Sequence, residues 1–114
     1  MENCIFCKII KGEIPCSKVY EDDKVLAFND INPEAPVHVL IVPKTHVQSV
    51  MDINADDCQL ISHVFYVASK IAEELKISEK GFRIVNNVGE NGGQTVSHIH
   101  FHLLGGRLLQ WPPG

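Results

Sequence analysis

The sequence lacks the features of several large protein classes. Its 10 lysines and arginines form no cluster, and the formal net charge is −4. A polynucleotide partner is therefore not expected, because nucleic acids are bound mainly through basic patches. A mononucleotide remains possible, since it needs only a small site. No apolar run approaches the roughly 20 residues that span a bilayer, so no membrane association is expected.

A targeting segment is also missing. Residues 1–4, Met-Glu-Asn-Cys, have none of the character of a signal peptide, which predicts a cytoplasmic protein. The four cysteines are then expected to be thiols, because disulfides are rare in that compartment. No internal repeat, linker or low-complexity segment interrupts the 114 residues, and 45% hydrophobic content is ordinary for one globular domain.

What the chain does contain is a run in which three histidines alternate with three apolar residues, between Ser97 and Gly106. A period of two is that of a β-strand, where successive side chains point to opposite faces. The apolar face is expected on the core, and His98, His100 and His102 are expected to share the other face. Since the imidazole pKa lies near neutrality, this face suits proton, nucleophilic or metal chemistry.

The remaining pattern is that of an α+β domain. A short helix after Cys4 is stopped by Gly12, and a long amphipathic helix is predicted from about Ala55 to Lys76. Four further strands are predicted over residues 17–21, 25–29, 37–42 and 82–86, the first two as a hairpin. The third is nearly all apolar, which indicates a central position. The histidine run is the fifth strand of a five-stranded antiparallel sheet.

A polar loop precedes the histidine run. Residues 91–95, Asn-Gly-Gly-Gln-Thr, let backbone N–H groups approach an anion closely, and Asn87 and Thr95 add side-chain donors. Asn-Gly-Gly is also a common turn sequence. Beside three histidines, the loop is a candidate phosphate site.

Cys4 and Cys7 form a C-x-x-C pair, which is either a redox pair or half of a zinc site. A redox pair is expected beside a thioredoxin-like βαβ pattern, which this chain lacks. Zinc takes four tetrahedral ligands, so two histidines would have to complete the site. The spare histidines are His46, His63 and His98, of which His63 lies on the polar side of the long helix and is expected to be solvated.

The histidine run and its flanks resemble the histidine-triad proteins. Residues 93–104 match the family pattern His-φ-His-φ-His-φ-φ, where φ is apolar, and the tail 104–114 with Leu-Gly-Gly-Arg and Trp-Pro-Pro-Gly resembles the Hint branch of nucleoside phosphoramidases. Segments between residues 5 and 31 match that branch too, so the resemblance covers nearly the whole chain.

The resemblance implies a two-step reaction on purine nucleoside 5′-phosphoramidates. His100 would attack the α-phosphorus, and water would hydrolyse the resulting nucleotidyl-histidine. His102 would hydrogen-bond the phosphate and help to protonate the leaving group, while the carbonyl of His98 would fix the His100 tautomer. His38 would support the triad from the neighbouring strand.

The resemblance also implies the contacts to the nucleotide. Asn87, Gly93 and Thr95 would donate to the phosphate oxygens, with Thr95 keeping a hydroxyl where related proteins carry serine. Asp30 would hold the ribose hydroxyls. The purine would lie in an apolar slot formed by Phe6, Ile9, Ile14, Phe28, Ile31 and Leu40.

Two further properties follow from the resemblance alone. Bacterial members with this C-x-x-C bind zinc, which implies a structural zinc on Cys4, Cys7, His46 and His98. Other relatives lack both cysteines, so the zinc is not expected to take part in the chemistry. The branch forms homodimers that join two sheets into one of ten strands, which would bring the tail with Trp111 near the partner's site.

Three functions therefore stand side by side. The first is hydrolysis of purine nucleoside phosphoramidates or adenylylated lysine, favoured by the Gly-Gly-Arg107 and Trp111 tail. The second is hydrolysis of dinucleoside polyphosphates or nucleotidyl transfer. The third is a nucleotide-binding interaction module without catalysis, which the intact triad with Asn87 and Thr95 disfavours.

Overall fold

The computed structural model describes residues 3–114 and has the predicted α+β architecture. Five strands form one antiparallel sheet in the order β1-β2-β3-β5-β4. Their bounds are Lys18–Glu21 for β1, Val25–Asn29 for β2, Val37–Pro43 for β3, Phe82–Val85 for β4 and Phe101–Gly105 for β5. The helices are α1, Ile5–Ile10, and α2, Cys58–Glu74. Within residues 3–114, no helix combines the length and apolar character that crossing a membrane requires.

The two faces of the sheet bury two separate apolar clusters. The predicted central position of β3 is confirmed, since β3 pairs with both β2 and β5. Its alternate residues enter different clusters: Val39 and Ile41 pack with α2, whereas Leu40 and Val42 pack with Phe6 of α1. Ile99, Phe101 and Leu103 belong to the α2 cluster, which confirms the predicted apolar face of the histidine run.

The fifth strand is shorter than predicted, because it begins at Phe101 and leaves His98 and His100 before it. The backbone of these residues bonds outside the sheet ladder. Ile99 N–H donates to the Val47 carbonyl (2.7 Å), and the carbonyls of His98 and His100 accept from side chains instead. The side chains of residues 98–103 still alternate between the two faces, although residues 98–100 make no β-sheet hydrogen bonds.

The long helix also differs from its predicted bounds. A capping box at Asn54 produces a 3₁₀ turn over Ala55–Asp57, and the α-helix runs from Cys58 only to Glu74. A second 3₁₀ turn, Val50–Asp52, was not predicted. His63, which was expected to be solvated, is half-buried, and its Nε2 lies 2.6 Å from Asp22 Oδ2, which joins α2 to the β1–β2 turn.

Candidate functional site

His100 is held on three sides. Its ring Nδ1 lies 2.8 Å from the His98 carbonyl oxygen. Because a carbonyl only accepts, Nδ1 carries the proton and Nε2 keeps its lone pair. The Asn86 amide donates to the His100 carbonyl (2.9 Å), and the Phe6 ring lies edge-to-face at 5.0 Å between centroids. His100 is therefore a buried imidazole that, in its neutral form, carries the lone pair on Nε2.

A hydrogen-bonded chain fixes the tautomer of His102. The backbone N–H of Glu34 donates to His38 Nδ1 (3.0 Å), so the proton of a neutral His38 is on Nε2. His38 Nε2 then donates to His102 Nδ1 (2.9 Å). The proton of a neutral His102 is consequently on its own Nε2. That nitrogen is buried and has no hydrogen-bond partner within residues 3–114.

Burial also keeps His102 uncharged. Desolvation lowers the pKa of His102 to about 4, and the neighbouring His100 and His38 add to the shift. An uncharged His102 at neutral pH offers its Nε2–H as a donor. A buried donor without a partner in the described part of the chain is suited to an external acceptor such as a phosphate oxygen.

Asp30 lies beside this chain, where the loop after β2 begins. Its Oδ1 accepts the N–H of Asn32 (2.8 Å), and its Oδ2 lies 3.4 Å from His38 Nε2. The structure thus places Asp30, which is predicted to bind the ribose hydroxyls, next to His38. Its carboxylate is placed to stabilise positive charge on the imidazole pair.

The loop before the triad is organised by a glutamine. Gln94 Oε1 accepts the N–H of Gly89 (3.0 Å), and Gln94 Nε2 donates to the carbonyls of Gln48 (2.7 Å) and Val96 (2.9 Å). Gly93 adopts a positive φ of 76°. Thr95 is exposed and lines a cavity of about 400 Å³ together with residues 3–5, 46, 96 and 97. Asn87 is half-buried, and its predicted role and those of Gly93 and Thr95 remain predictions.

The residues predicted to line the purine slot separate into two groups. Phe6, Phe28 and Leu40 are buried in the α1 cluster, and Ile9 packs against it. Ile14 is half-buried outside that cluster, whereas Ile31 is 91% exposed. The structure thus gathers four of the six residues into one apolar wall, and their contact with a purine stays a prediction.

Cys4, Cys7, His46 and His98 converge as predicted, with one donor atom of each within 4.8 Å of all the others. The pairs Cys4–His98, Cys7–His46 and Cys7–His98 have Sγ–Nδ1 distances of 3.4, 3.3 and 3.6 Å, and the two Nδ1 atoms are 3.1 Å apart. A tetrahedral zinc would place sulfur and nitrogen ligands about 3.5 Å apart, and two nitrogens about 3.3 Å apart. The four residues therefore fit a metal ion.

Hydrogen bonds and burial around the cluster agree with this fit. His98 Nε2 donates to the Pro43 carbonyl (2.8 Å), which leaves the Nδ1 lone pair facing the sulfurs. Cys4 caps α1, since its Sγ accepts the N–H of Cys7 (3.4 Å). Burial raises the pKa of the Cys7 thiol, and the neighbouring Cys4 adds to the shift. A cation among these groups would instead favour thiolate.

Asp30, His38 and His102 also lie close enough to one another to hold an ion. Their hydrogen bonds do not suit one. His38 Nε2 carries a proton in its tautomer, and His102 Nδ1 already accepts that proton. Binding a metal through these atoms would require breaking the hydrogen bonds among them, so this cluster is a hydrogen-bonded network that holds protons.

Residue pattern alone did not identify two important groups. Asn86 was predicted only as the end of a strand, although its amide holds the His100 carbonyl. Gln94 was predicted only as a loop residue, although it ties three backbone groups together. A polar side chain next to a catalytic-type motif is the only signal that could have indicated either one.

The five-stranded antiparallel sheet and the adjoining imidazoles of His38, His100 and His102 define the class of this protein, an α+β domain with a cluster of histidines on and beside two of its central strands. A family model described as HIT domain matches residues 11–109, and the chain belongs to this family. The resemblance to histidine-triad proteins is thereby confirmed.

The chain is 50% identical over 108 residues to the purine nucleoside phosphoramidase of Escherichia coli (strain K12). The aligned region covers 95% of this chain and 91% of that protein. It superposes on a HIT family hydrolase from Legionella pneumophila Philadelphia 1 with a TM-score of 0.97 and 53% identity, over 98% of this chain and 100% of that chain. A histidine triad protein from Clostridium difficile gives a TM-score of 0.94 and 53% identity, over 96% of both chains.

Proposed function

We propose that this protein hydrolyses the P–N bond of purine nucleoside 5′-phosphoramidates. The observation that carries the proposal is the pairing of a lone pair on His100 Nε2 with a buried Nε2–H on His102 that has no partner among residues 3–114. One attacks phosphorus, and the other binds a phosphate oxygen. The similarity to the phosphoramidase of Escherichia coli supports this substrate class.

The reaction has two displacements. His100 Nε2 forms a bond to the α-phosphorus, and the P–N bond breaks so that the amine leaves with the electron pair and takes up a proton. Water then attacks the same phosphorus, the P–Nε2 bond breaks, and a nucleoside monophosphate is released. Asn87, Gly93 and Thr95 are proposed as donors to the phosphate oxygens, and Asp30 as the ribose ligand.

His102 has two proposed roles that place different demands on its charge. As a phosphate donor it acts in the neutral form, which its low pKa favours. To protonate the amine it must first gain a proton. A bound phosphate anion next to the ring raises its pKa, and Asp30 near His38 acts in the same direction.

Single-turnover kinetics on adenosine 5′-phosphoramidate test the mechanism. Rapid quench in alkali with labelled substrate should trap an acid-labile, alkali-stable adduct on a peptide that contains His100. His100→Ala should lower turnover by several powers of ten and leave adenosine monophosphate binding largely intact. His102→Ala should lower turnover by about 10²- to 10⁴-fold. His63→Gln, a matched control because His63 contacts Asp22 rather than the triad, should keep full activity.

A substrate panel separates the alternatives. Faster turnover of a diadenosine polyphosphate or a nucleoside diphosphate sugar than of the phosphoramidate would favour dinucleoside polyphosphate hydrolysis or nucleotidyl transfer. Tight binding of adenosine monophosphate without turnover of any substrate would favour a non-catalytic module. Absence of the adduct, together with near-native turnover by His100→Ala, would exclude the mechanism.

We further propose that the cysteine–histidine cluster holds one structural zinc. A zinc ion there supplies a cross-link between α1, the segment after β3 and the triad, and takes no part in bond cleavage. Protein purified without chelator should contain about one equivalent of zinc per chain, as one tetrahedral site requires. Full retention of metal by Cys4→Ser/Cys7→Ser would contradict the assignment.

The protein is also proposed to act as a cytoplasmic homodimer. Large apolar residues are exposed on the two elements expected at the interface: Phe65 is 48% exposed on α2, and Phe82 is 36% exposed on the edge strand β4. Trp111 of the tail is 81% exposed. Such residues are favourably covered by a second copy.

A further inference from the structure

His98 belongs to two networks at once. Its ring nitrogen Nδ1 faces Cys4, Cys7 and His46 in the candidate metal cluster. Its backbone carbonyl accepts the Nδ1 proton of His100 at 2.8 Å. The ring is fully buried and is fixed on its other edge by the Pro43 carbonyl. The ring and this carbonyl belong to the same residue, so a displacement of the His98 backbone moves both.

A second connection runs through α1. Cys4 caps this helix, and Cys7 lies on its buried side with Phe6. The Phe6 ring packs edge-to-face against both His98 (5.9 Å) and His100 (5.0 Å). The helix has only six residues, too few for an isolated helix to be stable in water. Its position therefore depends on packing and on the cysteine anchor.

We infer that His98 is a positioning residue through which occupancy of the Cys4, Cys7, His46 and His98 cluster controls the orientation of His100. This inference rests on the proposed function and assigns the cluster more than a stabilising role. Loading the cluster holds the His98 carbonyl and the Phe6 ring against His100. Loss of the ion releases both, so the His100 ring samples the other tautomer, in which Nε2 is protonated and cannot attack phosphorus.

The key variants alter the cluster without touching His100. His46 lies in the cluster and is 3.1 Å from His98 Nδ1, so an effect of His46 on His100 has to pass through His98 or α1. His46→Ala removes one ligand, whereas His46→Cys replaces it with another zinc ligand. Cys16→Ser is the matched control, because Cys16 packs against the same α1 cluster but lies outside the metal group.

The first readout is nitrogen NMR of the His100 ring in the zinc-loaded, chelator-stripped and reloaded protein. The loaded protein should show a single Nδ1–H tautomer with a slowly exchanging proton. The stripped protein and His46→Ala should show a mixture of tautomers and faster exchange. His46→Cys with zinc should lie nearer to wild type than His46→Ala, and Cys16→Ser should match wild type.

The second readout is steady-state kinetics with metal content measured on the same samples. Loss of the ion should lower kcat by about 10- to 100-fold, the range typical of groups that orient a reactive ligand from outside the site. Phe6→Leu keeps the cluster but removes the ring contact with His100, so it should retain zinc and lower kcat by less than loss of the ion does. Reloading the stripped wild type with zinc should restore both the tautomer and kcat.

If the stripped protein stays folded, two results would overturn the inference. One is a stripped protein with native circular dichroism whose His100 tautomer and kcat are unchanged. The other is a loss of kcat that does not follow the tautomer across the loaded, stripped and His46→Cys samples. If stripping unfolds the chain, cadmium replaces zinc, and its longer bonds should alter the His100 exchange rate; an unchanged rate would also refute the coupling.

Failure of the proposed function gives a different pattern. If the zinc-loaded wild type turns over no phosphoramidate, the proposed function is wrong. The tautomer measurement still decides whether His98 couples the metal cluster to the His100 ring. If loaded protein is active and stripped protein is equally active with native structure, the proposed function stands and the coupling is absent.

Discussion

Replacing His102 with glutamine should flatten the pH dependence of stability in mildly acidic solution. In the folded protein the pKa of His102 is lowered to about 4, chiefly by desolvation, against 6.5 for an unperturbed histidine. Between these two values the unfolded chain binds a proton that the folded chain does not. Folding stability therefore rises with pH in this window, is fully present above about 6.5, and is lost as the pH falls toward 4.

The size of the effect follows from the same two values. Each pKa unit corresponds to about 1.4 kcal/mol, so the whole window corresponds to roughly 3 kcal/mol. His102 is only half-buried, and solvent screening reduces the expected loss to about 2 kcal/mol between pH 7 and about pH 4.5. Glutamine has no proton to bind in this range. Its amide can still accept from His38 and keep a donor where His102 Nε2–H was.

Urea denaturation of both proteins at several pH values measures the difference directly. The wild type should lose about 2 kcal/mol more than His102→Gln on acidification. Burial also lowers the pKa of His98, but that contribution is common to both proteins and cancels. Parallel pH profiles would show that His102 is protonated as easily in the fold as outside it, which would refute the neutral-donor argument.

Three other outcomes can be checked with the same methods. Asn86→Leu should leave the buried His100 carbonyl without its donor, destabilise the fold by about 1–3 kcal/mol and lower kcat more than it changes KM, as urea denaturation and steady-state kinetics would show. His63→Leu should lower the free energy of unfolding by about 1 kcal/mol, because it removes the Asp22 contact, and activity should be retained. A loss of activity in folded protein would contradict the placement of His63 outside the proposed active site. Sedimentation at micromolar concentration should give a dimer, and a monomer would count against the proposed homodimer.

Sequence periodicity was sufficient for the faces of the sheet but not for its hydrogen bonds. Alternation placed Ile99, Phe101 and Leu103 on the core side because side-chain direction depends only on the local extended backbone. The start of β5 at Phe101 depends on partners far away in the sequence, such as the Val47 carbonyl and the Asn86 amide. No local pattern carries that information.

The candidate site shows the same division. The C-x-x-C spacing predicted two of the metal ligands and left three spare histidines as candidates for the others. The resemblance to zinc-binding relatives implied His46 and His98, and these are the two that lie beside the cysteines. The tautomers were not predictable in full. His38 is oriented by the backbone N–H of Glu34, and any residue except proline could supply that group at position 34.

The three histidines of the run are chemically different although their spacing is regular, and the difference comes from what each Nδ1 atom faces. Nδ1 of His98 faces two sulfurs, that of His100 faces a carbonyl oxygen, and that of His102 faces another imidazole. A carbonyl forces a proton onto Nδ1 and leaves a lone pair on Nε2. An imidazole that donates to Nδ1 requires this atom to be unprotonated, so the proton of the accepting ring is on Nε2. Neighbouring rings thus present a lone pair on one Nε2 and an N–H on the other without any difference in residue type, so exchanging these two states would require moving the backbone and His38 rather than the triad.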